Sequence, residues 1–170
     1  MKNRLTFALV AIIATASPTM AFADHIDSQC SITQCHVGQK VWIEGGNRND
    51  AYFACKSSQL SDYANGLLGI IGTQAMFGVR PQISRATGEP VYVGETEALI
   101  VHWRQRAGVQ NFYQANSQCK KIATRGRKVP ATIISIPSLQ RQDTLDDGAA
   151  EVKVGNQEYW LPYAYLNSKR

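Results

Sequence analysis

Histidine, long apolar runs and repeats are what this sequence has least of. Its 170 residues include three histidines, His25, His36 and His102. None stands in H-E-x-x-H and no two share a helical ligand spacing, which removes the usual zinc-hydrolase reading. No internal repeat or low-complexity stretch is present, so solenoids and disordered linkers drop out. Beyond residue 23 nothing approaches the roughly 20 apolar residues that span a bilayer, so the mature chain is read as not membrane-spanning. Charge is thin as well, at 18% of the chain. What is abundant is apolar: 44% hydrophobic residues with only 6 prolines, a globular composition and not a disordered one.

The first 23 residues read as a secretory signal. Lys2 and Arg4 precede an apolar run from Leu5 to Ala14, and Ala21-Phe22-Ala23 supplies small residues for cleavage. Part of the formal +5 charge therefore belongs to the leader. Export places the mature chain in the periplasm or outside the cell, where cysteines oxidise. The four cysteines, Cys30, Cys35, Cys55 and Cys119, are an even set and predict two disulfides. A hairpin turning near Gly45-Gly46 favours Cys35 with Cys55 and Cys30 with Cys119. The other supported pairing joins Cys30 to Cys35 and Cys55 to Cys119, and the choice stays open. A competing chemistry uses the same residues. Cys30, Cys35 and His36 form C-x4-C-H, a widened form of the haem-attachment pattern, with His102 or a methionine as distal ligand. The motif occurs once and runs into a strand-like segment, so disulfides and no cofactor are expected.

Hydrophobic period changes twice along the chain. Val37 to Ile43 alternates, Gly45 to Asp50 has turn chemistry, and Ala51 to Cys55 returns, which predicts an N-terminal β-hairpin. Ser57 or Ser58 caps a helix through Leu60, Tyr63, Ala64, Leu67 and Leu68. Gly66, Gly69 and Gly72 near its end either fray it or give a smooth face for close packing, within the chain or against a partner helix. Gly78 to Gly94 is a connection. A second helix runs from about Thr96 to Ala107 with Gly108 as its stop. A third runs from about Val109 to Ile122, with Phe112, Ala115, Cys119 and Ile122 as its stripe. Pro130 to Pro137 is a strand, Gln140 to Gly148 a polar loop, and Ala150 to Leu161 a hairpin about Gly155-Asn156. The expected fold class is α+β, disulfide-stapled: signal peptide 1–23, hairpin plus two to three helices over 24–118, and a β-rich part over 119–170 packed on it.

The end of that β-rich part, Glu151-Val152-Lys153-Val154, the Gly155-Asn156 turn and Tyr159-Trp160-Leu161-Pro162-Tyr163-Ala164-Tyr165-Leu166, resembles the closing hairpin of a bacterial SH3-like barrel. In that family an apolar strand meets a proline, a short helical turn, then an aromatic and an aliphatic residue; here these are Leu161, Pro162, Tyr165 and Leu166. The resemblance covers about residues 119–167. It implies a small barrel with a pocket at Pro162 and Tyr165, near Trp160. The acidic-aromatic signature of eukaryotic ligand-binding SH3 domains is missing.

No constellation in the sequence meets the requirements of a catalytic site. An even cysteine count leaves no thiol nucleophile. Ser57 and Ser58 lack the glycines of a nucleophile elbow. Glu95/Glu97 suit a helix N-terminus, Asp146/Asp147 a solvated loop, and the Glu89 to Glu95 connection a polar cleft. Lys120, Lys121, Arg125, Arg127 and Lys128 form a basic run. It suits an anionic surface or peptidoglycan carboxylates, or simply a solvated helix end; nucleic acid is not expected. Tyr159, Trp160, Pro162, Tyr163 and Tyr165 are the candidate protein-binding patch, since Tyr and Trp dominate hot spots. The expected role is a non-catalytic binding or assembly factor of an envelope machine, such as a conjugation or secretion apparatus, with a protein partner. The alternatives are a secreted inhibitor or immunity protein against an envelope-targeting hydrolase, and a cell-wall hydrolase with an SH3-like targeting part.

Overall fold

A computed structural model describes residues 29–30, 35–44, 51–123, 127–137 and 148–169. Among these residues the fold is α+β, with one seven-stranded antiparallel sheet and three helices. Strands β1 (Lys40–Glu44) and β2 (Ala51–Cys55) come first, then α1 (Ser58–Met76), α2 (Glu95–Arg106) and α3 (Phe112–Ser117). Strands β3 (Cys119–Ala123), β4 (Lys128–Ser135), β5 (Ala149–Val154) and β6 (Gln157–Pro162) follow. A three-ten turn (Tyr163–Tyr165) leads into the two-residue β7 (Leu166–Asn167).

The sheet order is β3-β2-β6-β5-β4-β1-β7. The predicted pairing of β1 with β2 is therefore corrected: both strands form, but three others lie between them. β1 pairs instead with β4 and β7, and β2 with β3 and β6. The residues of the proposed turn, 45–50, lie outside the described set, as do the signal segment and the acidic loop tip. Alternation along β1 buries Val41 and Ile43 on one side, in a core they share with residues of the other strands, while β4 and β7 take its two edges. Strand pairing consequently crosses the expected 118/119 boundary. The β5–β6 hairpin forms as read, with Gly155 at φ 60° in its turn.

Two cores share the sheet, and β2 serves both. Ala54 joins Val41, Ile43, Ile133, Val152, Leu161 and Leu166 on one side. Phe53 and Cys55 face the other, with Leu60, Tyr63, Leu67, Ile100 and Trp103 of the helices. Period-two alternation sends neighbours of one strand to opposite sides. Helix α1 begins as expected, Ser57 Oγ accepting from Leu60 N–H at 3.3 Å. It runs through all three glycines to Met76 and does not fray at them. Helix α3 is shorter than expected: capped by Asn111, it stops at Ser117. Its predicted last turn becomes β3, because Cys119 stands opposite Cys55 in the sheet. Propensity lost to strand pairing there.

The disulfides are Cys30–Cys35 and Cys55–Cys119, and no described cysteine is free. The hairpin-based pairing is thereby corrected, for the same reason that the hairpin is absent. The Cys55–Cys119 bridge joins directly opposed residues of β2 and β3 and caps the helix-facing core. Both bridges fit a chain that folds in an oxidising compartment. No helix among the described residues is long and apolar enough to cross a membrane.

Candidate functional site

The feature that stands out is a groove of about 620 Å³ between α1, α2 and the chain following β6. That volume lies in the range of ligand pockets. Its walls are Gly66, Gly69 and Ile70 of α1, Leu99 and Trp103 of α2, and Pro162, Ala164 and Tyr165. Each wall follows from local sequence. Pro162 ends β6 and leads the chain into the three-ten turn, whose three residues per turn send Tyr163 and Tyr165 in different directions. Tyr163 points inward, buried, with its hydroxyl donating to Cys35 C=O at 2.8 Å. Tyr165 points to the groove and stacks on Tyr52, ring centroids 3.7 Å apart. On α1, Gly66 lets the helix close on Trp103: an added Cβ there would lie 2.6 Å from the indole. At Gly69, which also lines the groove, an added Cβ would meet nothing within 4 Å. The glycine face thus divides into one internal contact and one bare stretch of helix.

Asn65, unremarked in the sequence, lines the groove and bonds the backbone of β2. Its side chain accepts from Phe53 N–H at 3.0 Å and donates to Phe53 C=O at 2.9 Å. It takes the place of a neighbouring strand where β2 pairs with β6 only at Cys55–Trp160. Those backbone groups are thereby satisfied by a helix side chain. An asparagine inside the apolar pattern Ala64-Asn65-Gly66-Leu67 was the signal available. A second polar cluster fixes the connection before α2. Glu89 is buried; Arg104 donates to both its carboxylate oxygens, at 2.7 and 3.0 Å, and Tyr63 donates its hydroxyl. Burial, that bond and the carboxylate's charge hold the Tyr63 hydroxyl far above its ordinary ionisation. Beside this cluster, Glu97, Thr87 and Tyr92 line a small cavity of about 170 Å³. The expected polar cleft thus uses Glu89 and Glu97, and Glu95 is exposed.

The other sequence candidates disperse. Of the aromatic patch, Pro162 and Tyr165 meet at the groove, Tyr163 is core, and Trp160 sits half-buried opposite Cys55. Tyr159 packs on the sheet core, its hydroxyl bonded to Gln157. The basic run is not a helix end. Lys120 and Lys121 are successive residues of β3 and point to opposite faces; Lys121 lies over the Phe53 ring, 5.5 Å from its centroid. Lys128 stands opposite Glu44, Arg127 is exposed, and Arg125 lies outside the described residues. The sulfurs of Cys30 and Cys35 are joined to each other, and His36 N–H donates to Gln39. Apolar surface continues past the groove: Met76 and Phe77, where α1 ends, are 85% and 80% exposed, and Val93 before α2 is 85% exposed. No protein-family model, curated protein or solved structure matches this chain.

Proposed function

We propose that this chain is a non-catalytic binding factor of the cell envelope, exported and oxidised, that holds a partner protein in the groove between α1, α2 and Pro162–Tyr165. The observation that carries this is the coincidence of an open apolar groove with exposed Met76, Phe77 and Val93. Exposed apolar surface of that kind marks interaction sites in soluble domains. An assembly role fits better than hydrolysis, because the polar residues of the groove, Asp62, Asn65, Thr73, Gln74 and Thr96, include neither a nucleophile–base pair nor a carboxylate pair. The SH3-like reading of the β-rich part is supported by its strand sequence. β4, β5 and β6 form a meander, a three-ten turn follows, and β7 returns to β1. Within that reading, Pro162 and Tyr165 supply one wall of the binding site and the helical insertion between β1 and β4 supplies the other.

The test is site-specific photocrosslinking in cells that produce the chain. A crosslinking residue at Ile70 or Thr96, in the groove, should give one discrete adduct. The same residue at Lys153, exposed on β5, should not. Equal labelling from Lys153, or no adduct from either groove position, would end this reading.

A further inference from the structure

We propose that the outer edge of β3 takes an extended, acidic segment of a partner protein as an added strand. This surface is separate from the groove and does not depend on how the groove is used. The first argument concerns which backbone groups β3 leaves open. β3 is the last strand on its side of the sheet and, among the described residues, pairs only with β2. In an antiparallel ladder, opposed residues alternate between pairs that exchange both backbone hydrogen bonds and pairs that exchange none. Two observations fix which are which. Phe53 spends its N–H and C=O on Asn65 of α1, so it has none for Lys121 opposite. Cys55 and Cys119 are opposed with their Cα atoms 4.1 Å apart, near the roughly 4.5 Å of a pair without hydrogen bonds and short of the roughly 5.5 Å of a bonded one. Lys120 and Ile122 therefore bond inward to β2, while Cys119, Lys121 and Ala123 aim N–H and C=O away from it. No backbone bond among the described residues takes up those groups. Such a row is a template for one more strand.

Charge selects the occupant. Lys120 and Lys121 are exposed, and neither has a carboxylate partner among the described residues. The sequence holds no acid between Glu97 and Asp143, and β2 is uncharged. Lys121 is held over the Phe53 ring, 5.5 Å from its centroid, on the helix side of the sheet. Lys120, one residue earlier, lies on the opposite face. An incoming strand thus meets a cation on each of its faces, which acids at two adjacent positions match. The same lysines disfavour a second copy, because β3 laid against β3 would set like charges together. The edge is five residues long, about 17 Å at the strand rise, so the occupant is a short segment.

The test uses the oxidised chain and three fluorescent eight-residue peptides of valine and threonine. One carries aspartate and glutamate at two adjacent central positions, and one carries lysines there. The third repeats the acidic sequence with its central backbone nitrogens methylated. Anisotropy should show saturable binding of the acidic peptide, at least tenfold tighter than of either other peptide. Hydrogen exchange read by NMR should find the Lys121 amide faster than those of Lys120 and Ile122 in the free chain, and slowed at least tenfold by the acidic peptide. Lys120→Glu and Lys121→Glu together should turn the preference to the lysine peptide and, since both side chains are exposed, leave the melting temperature nearly unchanged. Equal binding of the methylated peptide reduces the site to charge and overturns the added strand. Equal binding of the lysine peptide overturns the acidic occupant. A Lys121 amide already slow in the free chain overturns the proposal too, since a second copy or another part of the chain then covers the edge. If groove crosslinks form but the acidic peptide does not bind, the edge proposal is wrong and the groove reading stands.

Discussion

Gly66 and Gly69 sit about one turn apart on α1 and answer to different neighbours. At Gly66 a methyl group would fall 2.6, 2.8 and 3.0 Å from atoms of the Trp103 indole, a rigid ring already packed in the core. The strain of overpacking is about 1–3 kcal/mol, against a gain of up to about 1 kcal/mol from removing a helical glycine. Gly66→Ala should therefore lose about 1–2 kcal/mol in urea denaturation. Gly69→Ala meets no obstacle and should gain about 0.5–1 kcal/mol. Matching signs for the two variants would refute the assignment of Gly66 to internal packing. Tyrosines divide in the same way. The sequence grouped Tyr163 with Tyr165 as one patch because Tyr and Trp are enriched at binding hot spots. The three-ten turn separates them, sending the first to Cys35 C=O and the second to Tyr52 and the groove. Alternation rules do not extend through such a turn, which is why the different directions of Tyr163 and Tyr165 were not legible in the sequence.

Among the elements, the connection from Gly78 to Gly94 is tied to the helices by Phe112 N–H to Thr87 C=O, by Tyr113 to Arg85 C=O and by a buried cluster of Tyr63, Glu89 and Arg104. Removing Glu89 strands the Tyr63 hydroxyl and releases Arg104, which is partly exposed and can turn to water. Glu89→Ala should cost about 2–3 kcal/mol, with hydrogen exchange accelerating first in residues 78–94. Titration reports on the same cluster. A tyrosine hydroxyl ordinarily ionises near 10.0. Burial foremost, then the bond to Glu89 and its charge, raises that of Tyr63, with Arg104 opposing. Burial also raises Tyr92 and Tyr163. The folded chain then keeps protons that the unfolded chain has released. Stability is fully present below about pH 10 and falls above it, by up to about 1.4 kcal/mol per pH unit for Tyr63. Tyr63→Phe should flatten that alkaline slope in urea melts between pH 9 and 11.5; an unchanged slope would count against a buried, protonated Tyr63. The helices and strands around this cluster were readable from period and capping. The cluster was not, because Tyr63, Glu89 and Arg104 come from three segments that only packing brings together.

At the scale of the whole molecule, the two bridges contribute unequally. Cys55–Cys119 spans 64 residues and Cys30–Cys35 spans 5, which in the chain-entropy model gives about 4 and about 2 kcal/mol. Replacing Cys55 and Cys119 together by alanine should cost roughly twice what replacing Cys30 and Cys35 does, read as midpoint shifts in guanidinium. The reverse order would place the long bridge outside the cooperative unit. The α+β class and the β5–β6 hairpin were legible in hydrophobic period. The partners of β1 were not, since nothing local to residues 40–44 distinguishes the strand that follows from those at Lys128–Ser135 and Leu166–Asn167. That distant closure has a kinetic face. Trp42 and Ile43 pair with Asn167 and Leu166, and Gln29 bridges to Asn167, so β1 is completed by a strand far downstream of it. During vectorial emergence β1 waits for that strand. Contact order of this kind slows folding. Until Leu166 and Asn167 arrive, one edge of β1 has unpaired backbone groups open to any other strand.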